Sequence, residues 1–334
     1  MLRFLAESAV ILVGGFGSEK YDMHSSEVFL GNSWNSECTI PSLPHVLQWF
    51  QGGSLVMTAD NEKVLYCAGE KHATGQRAHC FQLQGDSWTE HSDWNDPKYE
   101  RNDLMQVTMP DGVYVFGTPT RHRLSGRTTS EVLPKNSTTW EAGPTVPGDM
   151  MKWGCVVRIS DEEFLIIGGR IDGEDGPTNP NPIDRNPRRF TRTTRIVKYH
   201  TGTRTWEEWG SLILERENHG CAFADGKVIV AGGYDDDGDA TPSTEIIDVN
   251  SRQSKLAGLL TERRGGVALV NVDGRVLAIG GFNSGGLESQ PLSSIEEFNP
   301  EEETWSMKSW TPFTMNEARG FMGYLVVPAH KICP

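Results

Sequence analysis

The sequence predicts an all-β chain folded as a six-bladed propeller of four-stranded blades, and three observations carry that expectation. The first is an apolar run ending in glycine, whose last glycine recurs at Gly15, Gly69, Gly117, Gly169, Gly233 and Gly281 in steps of 54, 48, 52, 64 and 48 residues. A period near ~50 residues marks propeller repeats. The second is a set of Asp-Gly dipeptides, Asp111-Gly112, Asp225-Gly226 and Asp273-Gly274, each set between two apolar runs. A two-residue hairpin turn needs positive φ, which Asp tolerates and Gly adopts freely. The third is a tryptophan later in the repeat, at Trp34, Trp88, Trp140, Trp206 and Trp305. With 36 Gly, 10 Trp and no long amphipathic helical pattern, the composition suits many short strands joined by turns.

Each repeat reads in the same order. Strands a and b are the apolar runs around the tight turn, and strand b ends in Gly14-Gly15, Gly168-Gly169, Gly232-Gly233 or Gly280-Gly281. Degraded copies end at Gly69 and Gly117. Strand c is the aliphatic segment after a polar loop, at 27–30, 78–83, 130–133, 195–199, 244–249 and 295–298. The tryptophan opens strand d, except in the fifth repeat, which has Lys255 near that place. Adjacent glycines let a ring approach the backbone, so Gly-Gly and the later Trp are expected to form one packing device.

The expected blades are 9–46 with 318–328, then 50–95, 102–147, 152–212, 216–260 and 264–312, within one domain spanning 1–334. The first blade is split because the chain begins at a b strand, Ala9 to Val13, while 318–328 reads as an a strand with no b strand after it. The C-terminal strand is therefore expected to complete blade 1 and remove an open sheet edge.

The hydrophobic run, Gly-Gly, polar loop, aliphatic strand and Trp about 20 residues on together resemble the kelch repeat, and the resemblance covers essentially the whole chain. WD-type propellers have a shorter period and Trp-Asp pairs, which this sequence lacks. The resemblance implies a kelch-like protein without a BTB domain, acting as a non-catalytic interaction module or adaptor that binds a protein or peptide around its central channel. The alternative it leaves open is a carbohydrate-active or small-molecule enzyme of galactose-oxidase-like or sialic-acid-epimerase-like type. No His-x-His ligand pair and no Gly-x-Ser-x-Gly elbow supports catalysis, so no catalytic residue, metal or cofactor is expected.

Candidate partner-binding residues follow from position. Arg101, Lys152, Arg216, Arg264 and Arg319 stand before a strands, where in kelch adaptors basic residues ring the channel mouth, and forked guanidinium groups suit carboxylates. The alternative for these residues is a structural Arg bonding backbone carbonyls. The 64-residue step adds a long insertion after Gly169 that carries Arg170, Arg188 and Arg189, read either as a recognition loop or as a disordered one. Asp235-Asp-Asp-Gly-Asp239 has part of a calcium loop but Ile246 in place of the closing Glu, so an acidic solvated loop is expected.

A net charge of -14 repels phosphate backbones and argues against nucleic acid. No run approaches the ~20 apolar residues of a membrane span, so no membrane contact is expected; the chain is expected to be a monomer. The first residues read as a strand and not as a signal peptide, which favours the cytoplasm. Paired cysteines would instead place the chain outside the cell. Cys67 with Cys80 and Cys155 with Cys221 are possible pairs, leaving Cys38 and Cys333 near the closure, and buried free thiols are the other reading. Asn136-Ser-Thr is a single glycosylation acceptor motif, meaningful only in a secreted chain.

Overall fold

The computed structural model describes residues 8–18, 23–30, 33–34, 38–43, 54–60, 63–67, 80–90, 101–119, 129–148, 151–172, 190–286, 288–307 and 314–332. They form a six-bladed β-propeller of antiparallel four-stranded sheets. Blade 1 is Gly323–Pro328, Ser8–Val13, Ser26–Leu30 and Ser33–Trp34; blade 2 is Ser54–Met57, Val64–Cys67, Cys80–Gln84 and Ser87–Glu90. Blade 3 is Arg101–Met109, Gly112–Pro119, Thr129–Pro134 and Glu141–Ala142; blade 4 is Cys155–Arg158, Glu163–Ile167, Arg195–His200 and Thr205–Ser211. Blade 5 is Gly220–Ala224, Lys227–Ala231, Thr244–Asp248 and Gln253–Leu256; blade 6 is Ala268–Val272, Arg275–Ile279, Ile295–Asn299 and Thr304–Met307. Blade 1 is closed by the C-terminal strand, paired from Ser8↔Pro328 to Val13↔Gly323.

The core lies between the blades. Six apolar clusters each join two neighbours, because alternate residues of a strand face opposite sides of its sheet. On the b strand of blade 1, Ala9, Ile11 and Val13 pack toward blade 2, while Val10 and Leu12 pack toward blade 6. The tryptophans belong to these seams: Trp88 of blade 2 donates its indole N–H to the Pro41 carbonyl at 2.8 Å, and Trp305 of blade 6 donates to Thr244 Oγ1 of blade 5 at 2.9 Å. The side chain of Trp34 lies outside the described residues.

Four local expectations are corrected. The Gly-Gly pairs admit the backbone of the next blade, not a tryptophan ring. Gly232 and Gly233 have φ of 69° and 96°; a Cβ on Gly232 would lie 2.4 Å from the Arg264 carbonyl oxygen, and the Gly233 N–H donates to that same oxygen at 2.8 Å. Gly117 is level with the first glycine of the pair, since it faces Thr129 while Phe116 faces Ser130, as Ala231 faces Thr244. Asp225-Gly226 and Asp273-Gly274 turn with positive φ at both residues. Blade 3 instead turns at Pro110-Asp111, with Gly112 already paired to Met109 in the strand. Finally, the insertion after Gly169 is not a plain loop at its ends: Arg170–Asp172 pairs with Phe190–Arg192 and with Met151–Lys152 in a seventh, three-stranded sheet.

Cys67 and Cys80 are bridged across directly opposed positions of blade 2, with Cα atoms 4.1 Å apart. Cys155 and Cys221 join blades 4 and 5, with Cα atoms 6.0 Å apart. The two are one residue out of register, Cys155 facing Ile167 and Cys221 facing Val230. Cys38 is also disulfide-bonded, and Cys333 lies outside the described residues. No helix among the described residues is long and apolar enough to cross a membrane.

Candidate functional site

Antiparallel blades sort their connections onto two faces. The Gly-Gly ends of the b strands and the segments leading into the a strands share one face; the a–b hairpins and c–d turns share the other, where the Val249 N–H donates to the Gly226 carbonyl at 3.1 Å. The a strands surround a central channel of about 930 Å³ with a largely aliphatic wall, including Val56, Val107, Val157, Val270 and Leu325. Burial pushes the Tyr324 phenol on that wall up to about 12.

Three of the basic candidates are not available to a partner. Arg216, Arg264 and Arg319 are 0% exposed. Each is built into the same device. Arg216 Nη1 donates to the carbonyls of Gly232 and Ser243, both at 3.0 Å, and its Nη2 to Glu245 Oε1 at 2.9 Å. Arg264 Nη1 donates to the Gly280 and Ser294 carbonyls and its Nε to Glu296, and Arg319 donates through Nη1 to the Gly14 and Ser25 carbonyls and through Nη2 to Glu27. The carboxylates are completed by backbone donors: Ile213 and Leu214 on Glu245, Thr261 and Glu262 on Glu296, Asn316 and Glu317 on Glu27. Desolvation lowers the Arg216 pKa, and Glu245 opposes that shift. These arginines pin strand c and the Gly-Gly bend to the segment that leads into the a strand of the same blade.

The pairing is seen in blades 1, 5 and 6. In blade 3 Glu131 stands at the matching carboxylate place, while Arg101 pairs with Pro119, as Glu217 pairs with Tyr234. Blade 4 has Met151 and Val197 at the two places of the pair, and blade 2 has Phe81 at the carboxylate place. Blade 4 therefore carries neither the cation nor the anion. The side chain of Arg101 lies outside the described residues.

Residues that were not selected from sequence gather at the channel mouth on the Gly-Gly face. Phe16, Tyr234 and Phe282 each follow a Gly-Gly pair, and all three are half-buried. The Tyr234 ring covers Gly265 and the Phe282 ring covers Gly320, so closely that a Cβ would meet the rings at 2.1 and 2.6 Å. Phe321 covers Gly266 and joins them, stacked 6.3 Å from Tyr234 with 13° between planes, 5.7 Å from Phe282 and edge-on to Phe16 at 6.2 Å. Burial first, and Glu217 second, push the Tyr234 phenol up to about 12. The signal was present in the sequence: an aromatic residue immediately after Gly-Gly.

Blade 4 departs from this pattern. The residue after its Gly-Gly is Arg170, and the facing residue in blade 5 is Glu217 instead of glycine. Arg170 Nε and Nη2 donate to Glu217 Oε2 and Oε1 at 2.5 and 2.7 Å, and Arg192 Nη2 adds a third bond at 2.8 Å. The two arginines come from the two strands of the insertion. Arg170 also lies over Trp153, 4.5 Å from the ring centroid, with Lys152 Nζ at 5.1 Å. Lys152 is buried, and its backbone pairs with Arg170. The Trp153 indole N–H is buried without a hydrogen-bond partner among the described residues. Arg188 and Arg189 lie outside the described residues.

The acidic loop folds on itself. Asp235 Oδ1 accepts the N–H groups of Asp237 and Asp239 at 3.2 and 3.1 Å, and Asp236 faces Arg192 at 3.9 Å. No group of three or more His, Cys, Asp or Glu able to hold a metal occurs among the described residues.

A family model described as the Kelch motif matches residues 263–309. Kelch-like protein 40 of Xenopus tropicalis is 24% identical over 184 residues, covering 54% of this chain and 27% of that protein. Kelch-like protein 40 of Mus musculus is 29% identical over 179 residues, covering 52% of this chain and 26% of that protein. Beta-scruin of Limulus polyphemus is 24% identical over 132 residues, covering 38% of this chain and 14% of that protein. The matches thus span about a quarter or less of the length of these relatives.

Proposed function

Since the chain belongs to the kelch-repeat propellers, we propose that it is a non-catalytic protein-interaction module whose partner docks on the Gly-Gly face, over the channel mouth. The observation that carries this reading is the half-buried ring cluster of Phe16, Tyr234, Phe282 and Phe321 beside Trp153 and the Arg170–Arg192–Glu217 group. Aromatic and Arg side chains concentrate binding energy in interfaces, because they bury large areas and keep a polar handle. Here they form one patch, apolar on the side of blades 5, 6 and 1 and ionic on the side of blade 4. The enzyme alternative gains no support from the comparisons or from the channel wall.

The test is affinity capture with the intact chain from its source cells, followed by titration of the captured protein against variants. Tyr234→Ala, Phe282→Ala and Arg170→Ala should each weaken binding by at least about 1 kcal/mol, the level that marks energetically important interface residues. Lys227→Glu, on the opposite face, should leave binding unchanged. Uniform affinity across all four variants would sink the assignment of this face.

A further inference from the structure

We propose that Asn136 carries an N-linked glycan and that the chain matures in an oxidising, glycan-adding compartment. Asn136-Ser137-Thr138 is the one Asn-x-Ser/Thr motif in the sequence. It lies in the c–d turn of blade 3, where the Ser137 N–H donates to the Pro134 carbonyl at 3.0 Å and the Lys135 N–H to the Asp111 carbonyl at 2.8 Å. Asn136 occupies the left-handed region with φ of 61°, and both Asn136 and Thr138 are exposed. The acceptor amide and the hydroxyl two residues on are thus presented together at the edge of the molecule.

A separate observation points to the same compartment. Every described cysteine is in a disulfide: Cys67 with Cys80 within blade 2, Cys155 with Cys221 between blades 4 and 5, and Cys38 as well. A chain with six apolar inter-blade clusters has no need of bridges to complete its core, and bridges persist where the surroundings are oxidising. The position of the turn is compatible with binding. It stands on the hairpin face, so a glycan there leaves the ring cluster at the channel mouth uncovered.

In the transfer, the Asn136 side-chain nitrogen forms a bond to the anomeric carbon of a lipid-linked oligosaccharide. The bond from that carbon to the pyrophosphate oxygen breaks, the lipid pyrophosphate leaves, and the amide gives up one proton to the transferring enzyme.

The full chain immunoprecipitated from its source cells should run as a single glycosylated band that drops one step on treatment with peptide N-glycosidase. Intact mass after alkylation without reductant should show no free thiol at Cys67, Cys80, Cys155 or Cys221. In secreting cells, Thr138→Ala should remove the band shift, whereas Thr138→Ser should keep it at equal secretion. A source protein with an unmodified Asn136 overturns the glycan, and one with alkylated cysteines overturns the compartment.

Discussion

Glu245 is 0% exposed, and its two oxygens take the Arg216 guanidinium and the N–H groups of Ile213 and Leu214. Removing one partner of such a pair strands the other charge away from water, at a cost of about 3–5 kcal/mol. Glu245→Val alone should therefore lower the free energy of unfolding in urea by that amount. Arg216→Met combined with Glu245→Val should recover most of the loss, because blade 4 already carries Met151 and Val197 at these places. A double variant as unstable as the single one would contradict this reading. The arginines could be read from sequence as part of a series of basic residues before the a strands of five of the six blades. Their burial could not, since the carboxylates that hold them lie 29, 32 and 292 positions away.

His219 gives the pH dependence at this scale. Burial, and then the Arg216 charge, hold its imidazole down at about 3. Its folded value is below the unfolded one, near 6.5, so the unfolded chain takes up the proton first as pH falls. Stability is unaffected above that value and falls from there down to about 3, by about 2 kcal/mol at pH 5. His219→Val, which copies Val267 of blade 6, should flatten this part of the profile in urea midpoints taken at pH 7 and pH 5. A profile unchanged by the substitution would show that other groups set it.

At the scale of the element, the fifth blade raises the question of how a seam closes without its tryptophan. The b strand of blade 5 still needs a large ring against blade 4, and Trp209 provides it. The register between strands c and d of blade 4 slips between Ile196 and Val197, so that Glu208 faces Val197 and Gly210 faces Ile196. Trp209 is the extra residue, and a bulge of this kind re-aims a side chain. It lies 5% exposed in the cluster of Leu165, Ile167, Val228 and Val230. Trp209→Ala should cost about 3–5 kcal/mol of unfolding free energy, as a large cavity in a packed seam does, while Lys255→Ala on exposed strand d of blade 5 should change it little. Near-equal effects would remove Trp209 from the seam. The sequence showed that a Trp was missing near Lys255, and the pairing places Ser254 opposite Ile247 where Trp305 stands opposite Phe298. The replacement was not legible, because a bulge shifts the ring off its periodic place.

For the molecule as a whole, the glycine period and the split first blade make the six-bladed ring legible in the sequence. Both report backbone geometry that repeats, and repetition is what a single sequence displays best. The candidate site was legible only in part. Its ionic corner begins at Arg170, inside the insertion that the unequal spacing singled out, whereas its rings at Phe16, Tyr234, Phe282 and Phe321 are irregular residues set on a regular frame. The frame also has a directional weakness. Ser8 is paired with Pro328, so tension applied through these two residues pulls at the same end of one antiparallel pair. The bonds between them would then be loaded one after another, like the teeth of a zip, and not together in shear. The joint that closes the ring is thus a seam that peels when pulled by its two ends.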